Sequence, residues 1–173
     1  MECEKFFKKF LENISLDSTR FKRIEDAISA LKTFVSNDKE KGENGESGIK
    51  DMLIEMFSQG SYAIGTCIKP ANDNEEFDVD MVLSLSLEKT VNIPAKPKLS
   101  PKKILGWLEK RLKQNENYKD RIKEPKPRCV RINYKGDFHL DIVPVMPVCN
   151  KDGVLWIPDK SEGWDKTDPK GFI

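Results

Sequence analysis

The hydrophobic positions in the first part of the chain repeat with a helical period. Apolar side chains recur three or four residues apart in two stretches, which comprise Phe6, Phe7, Phe10, Leu11 and Ile14, then Phe21, Ile24, Ile28, Leu31 and Val35. This period predicts two amphipathic helices. Asp17-Ser18-Thr19 lies between them and offers N-cap side chains for the second helix. No apolar residue occurs from Ser36 to Gly48, so we expect a mobile loop there.

Shorter apolar runs in the rest of the chain predict strands. The predicted strands are Met52–Ser58, Asp78–Leu87, Arg128–Tyr134, Phe138–Val148 and Val154–Ile157. In the second of these, every other residue from Val79 to Leu87 is apolar, as expected for a strand with one buried face. Lys135-Gly136-Asp137 separates two of the runs and predicts a hairpin turn.

A loop and a further helix separate the second predicted strand from the third. Ile93–Pro101 is rich in proline and lysine and predicts the loop. Ser100-Pro101 then marks the start of a helix that we expect to run to about Tyr118. The combined pattern predicts an α/β (α+β) fold, with a mixed central sheet flanked by helices.

Composition narrows the classes of protein to which the chain could belong. Its 173 residues suit one domain with its own core, and its net charge of +1 gives no global field for tight nonspecific DNA binding. No apolar run approaches the roughly 18–20 residues that span a bilayer, and the acidic start lacks a signal-peptide core. The cysteines Cys3, Cys67, Cys129 and Cys149 are scattered, so we expect reduced thiols in a cytoplasmic protein without membrane contacts.

Asp78-Val79-Asp80 is the first candidate for chemistry. Residues i and i+2 of a strand point the same way, about 6.5–7 Å apart, so both carboxylates share one face. From there they could converge on metal ions held about 3.5–4 Å apart. The alternative is a solvated strand end that carries two aspartates without a function.

Asp141 is the second candidate, because it lies in the least polar stretch of the chain, Phe138–Val145. A carboxylate in such a strand needs a metal, several hydrogen bonds or a cationic partner. Arg131 on the preceding strand could supply a plain salt bridge, which is the structural alternative to a metal site. His139 shares the face of Asp141 by strand parity, but two-metal phosphoryl sites favour oxygen ligands, so we expect an orienting or surface histidine.

Gly60-Ser61 is the third candidate. A glycine lets the backbone approach a phosphate closely, and the serine hydroxyl with the following N–H groups can bind phosphate oxygens. The segment is not a P-loop, because no Gly-Lys-Ser/Thr follows it. Taken alone, it would be no more than a simple turn.

Taken together, these motifs resemble those of the DNA polymerase β-like nucleotidyltransferase superfamily. The similarity is greatest to its bacterial cGAS/DncV-like branch, the synthases of cyclic oligonucleotide signals in antiphage defence. The segments that carry the resemblance are Gln59-Gly60-Ser61-Tyr62-Ala63-Ile64-Gly65-Thr66, Glu76-Phe77-Asp78-Val79-Asp80-Met81-Val82-Leu83, Leu140-Asp141-Ile142-Val143-Pro144 and Trp164-Asp165-Lys166-Thr167-Asp168-Pro169-Lys170-Gly171-Phe172.

The resemblance implies a two-metal mechanism. Asp78, Asp80 and Asp141 would hold two Mg²⁺ (or Mn²⁺) ions, and Asp141 would also activate the acceptor hydroxyl. Gly60 and Ser61 would bind the β- and γ-phosphates of an NTP, and pyrophosphate would leave. Regulatory and effector proteins of an antiphage operon are the partners that the resemblance suggests.

It also implies a division of the chain. Residues 1–47 would be N-terminal helices and a mobile loop packed on the core, and residues 48–173 the catalytic core. The C-terminal helical half of the family would be absent from this chain.

Two other functions compete with second-messenger synthesis. The chain could be a polymerase β-like nucleotidyltransferase that modifies RNA, a protein or a small molecule, in which case product would not form from NTPs alone. It could also be a nonenzymatic nucleotide-binding module, whose role Asp78→Ala would leave untouched.

Overall fold

The computed structural model describes residues 2–39, 47–70, 72, 76–86 and 96–171. The helices are α1 (Glu2–Ile14), α2 (Ser18–Asn37), α3 (Ile49–Met52), α4 (Gly60–Ala63), α5 (Pro101–Lys113) and α6 (Glu116–Lys119). The strands are β1 (Leu53–Gln59), β2 (Phe77–Leu85), β3 (Val130–Tyr134), β4 (Phe138–Pro147), β5 (Leu155–Asp159) and β6 (Gly163–Thr167). No helix in these ranges combines the length and apolarity needed to cross a bilayer.

The strands form one mixed sheet, which confirms the predicted fold class. Its order is β1-β2-β4-β5-β6, and β3 also pairs with β4. Only β2 and β4 are parallel among the described pairs; the others are antiparallel. A parallel pair needs a long crossover, and here the connection includes α5. β4 is therefore the central strand, flanked by β2 from Phe138 to Val145, by β3 from Phe138 to Ile142 and by β5 at Met146 and Pro147.

Two helices form the layer behind the sheet. Asp17 caps α2 by accepting a hydrogen bond of 2.8 Å from the Arg20 backbone N–H, as its position predicts. The buried apolar residues of these helices are Ile24, Ala27, Ile28, Leu31 and Val35 of α2 and Ile104, Leu105, Leu108 and Leu112 of α5. They join a single core with the apolar face of β2, on which Val79, Met81, Leu83 and Leu85 are all buried as predicted.

α1 has a different environment from α2. None of its residues is buried, and Phe6, Phe7 and Phe10 are 73%, 61% and 55% exposed. Its carboxyl end is fixed to the rest of the chain by a hydrogen bond of 2.7 Å from the Lys69 N–H to the Ile14 carbonyl. The helical period of the sequence predicts α1 correctly, but the core contacts that we expected of the early helices come from α2.

Two predicted boundaries are wrong. The helix expected to run to about Tyr118 ends at Lys113, because the Asn115 side chain accepts a hydrogen bond of 2.8 Å from the Asn117 N–H and caps the separate helix α6. The last predicted strand, Val154–Ile157, is observed as β5 from Leu155 to Asp159, and β6, which pairs with it in a hairpin, was not predicted. The predicted loop at Ser36–Gly48 begins after Asn37, and its residues 40–46 lie outside the described residues. Leu87, at the end of the second predicted strand, and residues 93–95 of the predicted proline-rich loop also lie outside them.

A buried ion pair holds the helical layer together. The guanidinium of Arg111 in α5, which is 1% exposed, donates to both carboxylate oxygens of Asp38 at the end of α2; the bond from Nε is 3.1 Å long. Asp38 also accepts a hydrogen bond of 2.8 Å from the Ile49 N–H at the start of α3. One carboxylate thus connects three helices, and its removal would leave a buried positive charge without a partner.

We therefore expect Asp38→Ala to lower the free energy of unfolding by about 3–5 kcal/mol. Glu109→Ala is the control, because Glu109 pairs with Lys113 on the exposed side of α5, the helix that carries Arg111. This substitution should cost no more than about 0.5 kcal/mol. Urea denaturation of both variants measures the difference. Equal losses would contradict the role assigned to Asp38.

Candidate active site

Strand register brings the three candidate aspartates together. In the parallel pair of β2 and β4, Asp80 lies directly opposite Asp141, and Asp78 lies opposite His139. Neighbouring strands are about 4.8 Å apart, and paired residues point to the same face of the sheet. The three carboxylates therefore share one face, at the end of the sheet where β2 begins. They lie on interior strands rather than on an edge strand.

Gly60 approaches this cluster from the edge strand. Gln59, the last residue of β1, pairs with Asp80, and the short helix α4 begins at the next residue. Gly60 has a φ of +67°, and a Cβ atom at this position would lie 2.6 Å from Oδ2 of Asp80. Both the backbone angle and the contact therefore require glycine. The predicted Gly60 turn thus packs directly on the predicted acidic cluster.

The hydroxyl of Ser61 lies next to a thiol. Its oxygen is 3.2 Å from Sγ of Cys67, at hydrogen-bond distance for sulfur, and either atom could be the donor. The Ser61 carbonyl accepts a hydrogen bond of 2.8 Å from the Thr66 N–H, which closes the loop after α4. The side chain is thus positioned by a contact within its own loop.

Arg131 is the main cation at the cluster. It lies opposite Asp141 in the antiparallel pair of β3 and β4. Its Nε and Nη2 donate to the two oxygens of Asp141, both at 2.7 Å, and Nη2 is 3.0 Å from Oδ1 of Asp78. The salt bridge raised above as the structural alternative for Asp141 therefore exists. It involves two of the three aspartates.

A second set of contacts lies beside Asp78. Nδ1 of His139 is 3.1 Å from both Oδ1 of Asp78 and Nη1 of Arg131, and Nε2 contacts a carboxylate oxygen of Glu76. Nδ1 cannot donate to Asp78 and accept from Arg131 at once, so the proton on that nitrogen decides between the two partners. Glu76 also accepts a hydrogen bond of 2.7 Å from the Gly136 N–H, which fixes its position.

Asp80 has the least favourable electrostatic environment of the three aspartates. Burial, followed by the negative charges of Asp141 and Asp78, raises its pKa to about 6 against a smaller opposing effect of Arg131. Cys129 lies on the other side of Asp141, and burial together with that carboxylate raises the pKa of its thiol to about 12. The thiol therefore stays protonated at neutral pH and adds no charge to the cluster.

The donor chemistry of this cluster suits a hard divalent cation. Carboxylate oxygens are the ligands that Mg²⁺ prefers, and the raised pKa of Asp80 reflects first its burial and then the negative charges of Asp141 and Asp78. In the described part of the chain, however, no three His, Cys, Asp or Glu side chains are already arranged to hold one ion. A cation would have to draw the carboxylates together from their present positions.

The structure thus brings together Asp78, Asp80, Asp141 and Gly60. Ser61 follows Gly60 in the chain, but its described side-chain contact is with Cys67 rather than with the acidic cluster. The contacts of Glu76 and Cys129 were not predicted from the sequence, and Arg131 was expected only as a salt-bridge partner of Asp141. Strand parity gave the one available signal for these residues. It places Arg131 and Cys129 on one face of their segment, but the pairing of β3 with β4 was needed to show which face meets Asp141.

The raised pKa of Asp80 predicts a pH-dependent cost in stability. Because the folded state disfavours the charged form, the cost is complete above about pH 6 and fades as the pH falls toward the usual aspartate value. We expect Asp80→Asn to raise the free energy of unfolding at pH 7.5, without metal, by about 1–2 kcal/mol. The gain should shrink toward pH 4.5 in thermal melts.

Asp78→Asn is the matched control for this test. Asp78 has both Arg131 and His139 as partners, so its replacement should not stabilise the chain at pH 7.5. A gain from Asp80→Asn that stayed constant with pH would contradict the electrostatic origin of the cost.

Comparisons with known proteins agree on one family. The family model for the Second Messenger Oligonucleotide or Dinucleotide Synthetase domain (SMODS) matches residues 1–173. A c-di-GMP synthase from Roseivirga ehrenbergii is 36% identical over 173 residues, which are 99% of this chain and 42% of that protein. The cyclic dinucleotide synthase CdnG from Bradyrhizobium diazoefficiens is 27% identical over 118 residues, which are 68% of this chain and 25% of that protein. The chain thus spans less than half the length of these relatives.

Solved structures share the fold at lower identity. The complex of the Bradyrhizobium diazoefficiens CD-NTase CdnG with GTP has a TM-score of 0.68 at 20% identity, and the match covers 92% of this chain and 42% of the CdnG chain. Escherichia coli MS115-1 CdnC with ATP has a TM-score of 0.65 at 18% identity, and the match covers 97% of this chain and 48% of the CdnC chain. With the family model matched from end to end, the chain belongs to the SMODS family of cGAS/DncV-like nucleotidyltransferases.

Proposed function

We propose that this chain is the catalytic core of a metal-dependent nucleotidyltransferase that joins NTPs into cyclic di- or oligonucleotides and releases pyrophosphate. The observation that carries this proposal is the pairing of Asp80 with Asp141 across parallel strands, with Asp78 on the same face and Gly60 packed against Asp80. Three carboxylates and a tight backbone turn at one position would serve both cation and phosphate binding. The family relationship supports the same activity, since the two curated relatives are named as cyclic dinucleotide synthases.

The three aspartates would have different tasks. Asp78 and Asp80 would hold two Mg²⁺ ions, and Asp141 would complete the second site. When bound, the ions neutralise charge on the triphosphate and lower the pKa of the acceptor hydroxyl. Asp141 would also orient that hydroxyl for in-line attack on the α-phosphorus, and pyrophosphate would leave from the opposite side. Asp80 must lose its proton before it can bind a cation, so we expect nucleotide binding with metal to improve as the pH rises through about 6.

Gly60 and Ser61 would bind the β- and γ-phosphates. Because Gly60 has no side chain, its backbone can lie against both Asp80 and a phosphate bound there. The Ser61 hydroxyl, now directed at Cys67, would turn to a phosphate oxygen. Gly60 lies beside the acidic cluster rather than within it, which suits a triphosphate whose α-phosphorus faces Asp141.

We further propose that NTPs are its substrates, that it acts in the cytoplasm where they are abundant, and that its product signals to effector proteins in antiphage defence. The family relationship is the support for these roles.

Asp141→Asn should abolish product formation, by at least about 10³-fold, while leaving the fold intact. Asparagine keeps the shape and one acceptor but removes the charge that binds the cation. The assay is incubation of purified protein with the four α-labelled NTPs and Mg²⁺ or Mn²⁺, followed by phosphatase treatment. Phosphatase-resistant product from NTPs alone would identify the synthase activity, whereas product only with an added acceptor would indicate a transferase acting on another molecule.

Asp165→Asn is the control for that test. It makes the same chemical change at an exposed aspartate of β6, whose described contact is an ion pair with Arg128, and it should retain full activity. Comparable turnover in Asp141→Asn and Asp165→Asn would contradict the mechanism.

Gly60→Ala should lower kcat/KM by about 100-fold, because the added methyl group must displace the Asp80 carboxylate by a substantial part of an ångström. Gly65→Ala is a matched control. Gly65 has nearly the same φ, +69°, but nothing lies within 4 Å of a Cβ there, so this variant has the backbone strain without the collision. Equal losses of activity in the two variants would show that strain, not the contact with Asp80, is responsible.

A further inference from the structure

The contacts of Arg131 suggest a role that the proposed mechanism does not use. Its guanidinium binds both oxygens of Asp141 at 2.7 Å and reaches Oδ1 of Asp78 at 3.0 Å. These carboxylates come from two different strands, β4 and β2, so one side chain bridges two of the residues that would hold a metal. The geometry is the bidentate fork in which arginine binds carboxylates most strongly.

Burial makes this arrangement strong enough to matter. The side chain of Arg131 is 17% exposed and that of Asp141 is 10% exposed, so water screens the pair only weakly. No described residue supplies a second guanidinium or ammonium group to Asp141. The cluster therefore depends on Arg131 for the positive charge that pairs with the buried carboxylate of Asp141.

The same contacts work against cation binding. A carboxylate that holds a guanidinium with both oxygens has fewer lone pairs directed to a metal ion, and a divalent ion beside a guanidinium is repelled by it. This accounts for the finding that the three aspartates lie together, yet no three acidic or metal-binding side chains of the described residues are arranged to hold an ion.

We propose that Arg131 is a built-in counter-ion that occupies the place of the metal charge and competes with divalent cations for Asp141 and Asp78. In the metal-free chain it holds the two strands' carboxylates in position. A cation gains access only when the guanidinium releases at least one oxygen of Asp141. Arg131 is thus a positioning residue that sets the threshold of metal concentration at which the site fills. The inference rests on the proposed role of the three aspartates as metal ligands.

Mn²⁺ binding without nucleotide tests the competition directly. The free ion is measured by electron paramagnetic resonance during titration of the purified protein at fixed ionic strength. Arg131→Met keeps the aliphatic stem and removes the fork, so we expect its Kd for Mn²⁺ to fall by about 10-fold or more, the usual strength of a charge-assisted hydrogen bond. Arg131→Lys keeps the charge but cannot bind both oxygens, so its Kd should lie between those of Met and wild type.

The stability of the metal-free protein gives a second readout in the opposite direction. Arg131→Met should melt at a lower temperature than wild type without metal, because Asp141 loses its partner. Saturating Mn²⁺ should then raise the Tm of Arg131→Met by more than it raises the Tm of wild type. Arg128→Met controls for the loss of one positive charge: Arg128 pairs with Asp159 instead, so its Kd for Mn²⁺ should equal that of wild type.

The outcomes separate this inference from the function on which it rests. A Kd for Mn²⁺ that is unchanged or higher in Arg131→Met, or equal to that of wild type in Arg131→Lys, would overturn the competition but not the metal site itself. Absence of Mn²⁺ binding in wild type and in both variants would overturn the metal site and the competition together. If Arg131→Met fails to fold, Arg131→Lys alone decides the question: a lower Kd for Mn²⁺ than that of wild type supports the competition, and an equal or higher Kd overturns it.

Discussion

The parallel pairing of β2 with β4 is the constraint on which the rest of the site depends. It places Asp80 opposite Asp141, and strand parity then fixes Asp78 and His139 on the same face. A one-residue shift in this register would turn Asp141 toward the helical layer and separate the acids. The crossover that parallel strands require carries α5, which packs on the opposite face and holds the register through the apolar core. The pairing of β2 with β4 therefore determines both the order of the central strands and the position of the site.

This arrangement concentrates negative charge, and the structure offsets it unequally. Asp141 and Asp78 share the Arg131 guanidinium, whereas Asp80 is half-buried with Gly60 against it and has a raised pKa. A site that was only structural would gain from an apolar residue at Asp80. The unbalanced charge is understandable if a cation completes the cluster, which links the electrostatics of the free chain to the proposed chemistry.

Local patterns predicted much of the fold and the members of the site. Helical spacing identified α2, the Asp17 cap and α5, and alternation identified β2 with its buried face. The aspartates were found because carboxylates on apolar strands are costly without a partner. The end of α5 was misplaced because the Asn115 cap depends on its own side-chain conformation, and β6 was missed because it is polar and forms only through pairing with β5. The bridging role of Arg131 could not be predicted, since it arises from two strand registers acting together.

The most direct test of the central claim is a crystal structure of the protein with Mn²⁺ and a non-hydrolysable NTP, measured at the manganese absorption edge. The account predicts two anomalous peaks, about 3.5–4 Å apart, among the carboxylates of Asp78, Asp80 and Asp141, with the triphosphate against Gly60 and Ser61. Nucleotide bound elsewhere, or no anomalous peak at these aspartates at saturating Mn²⁺, would contradict it.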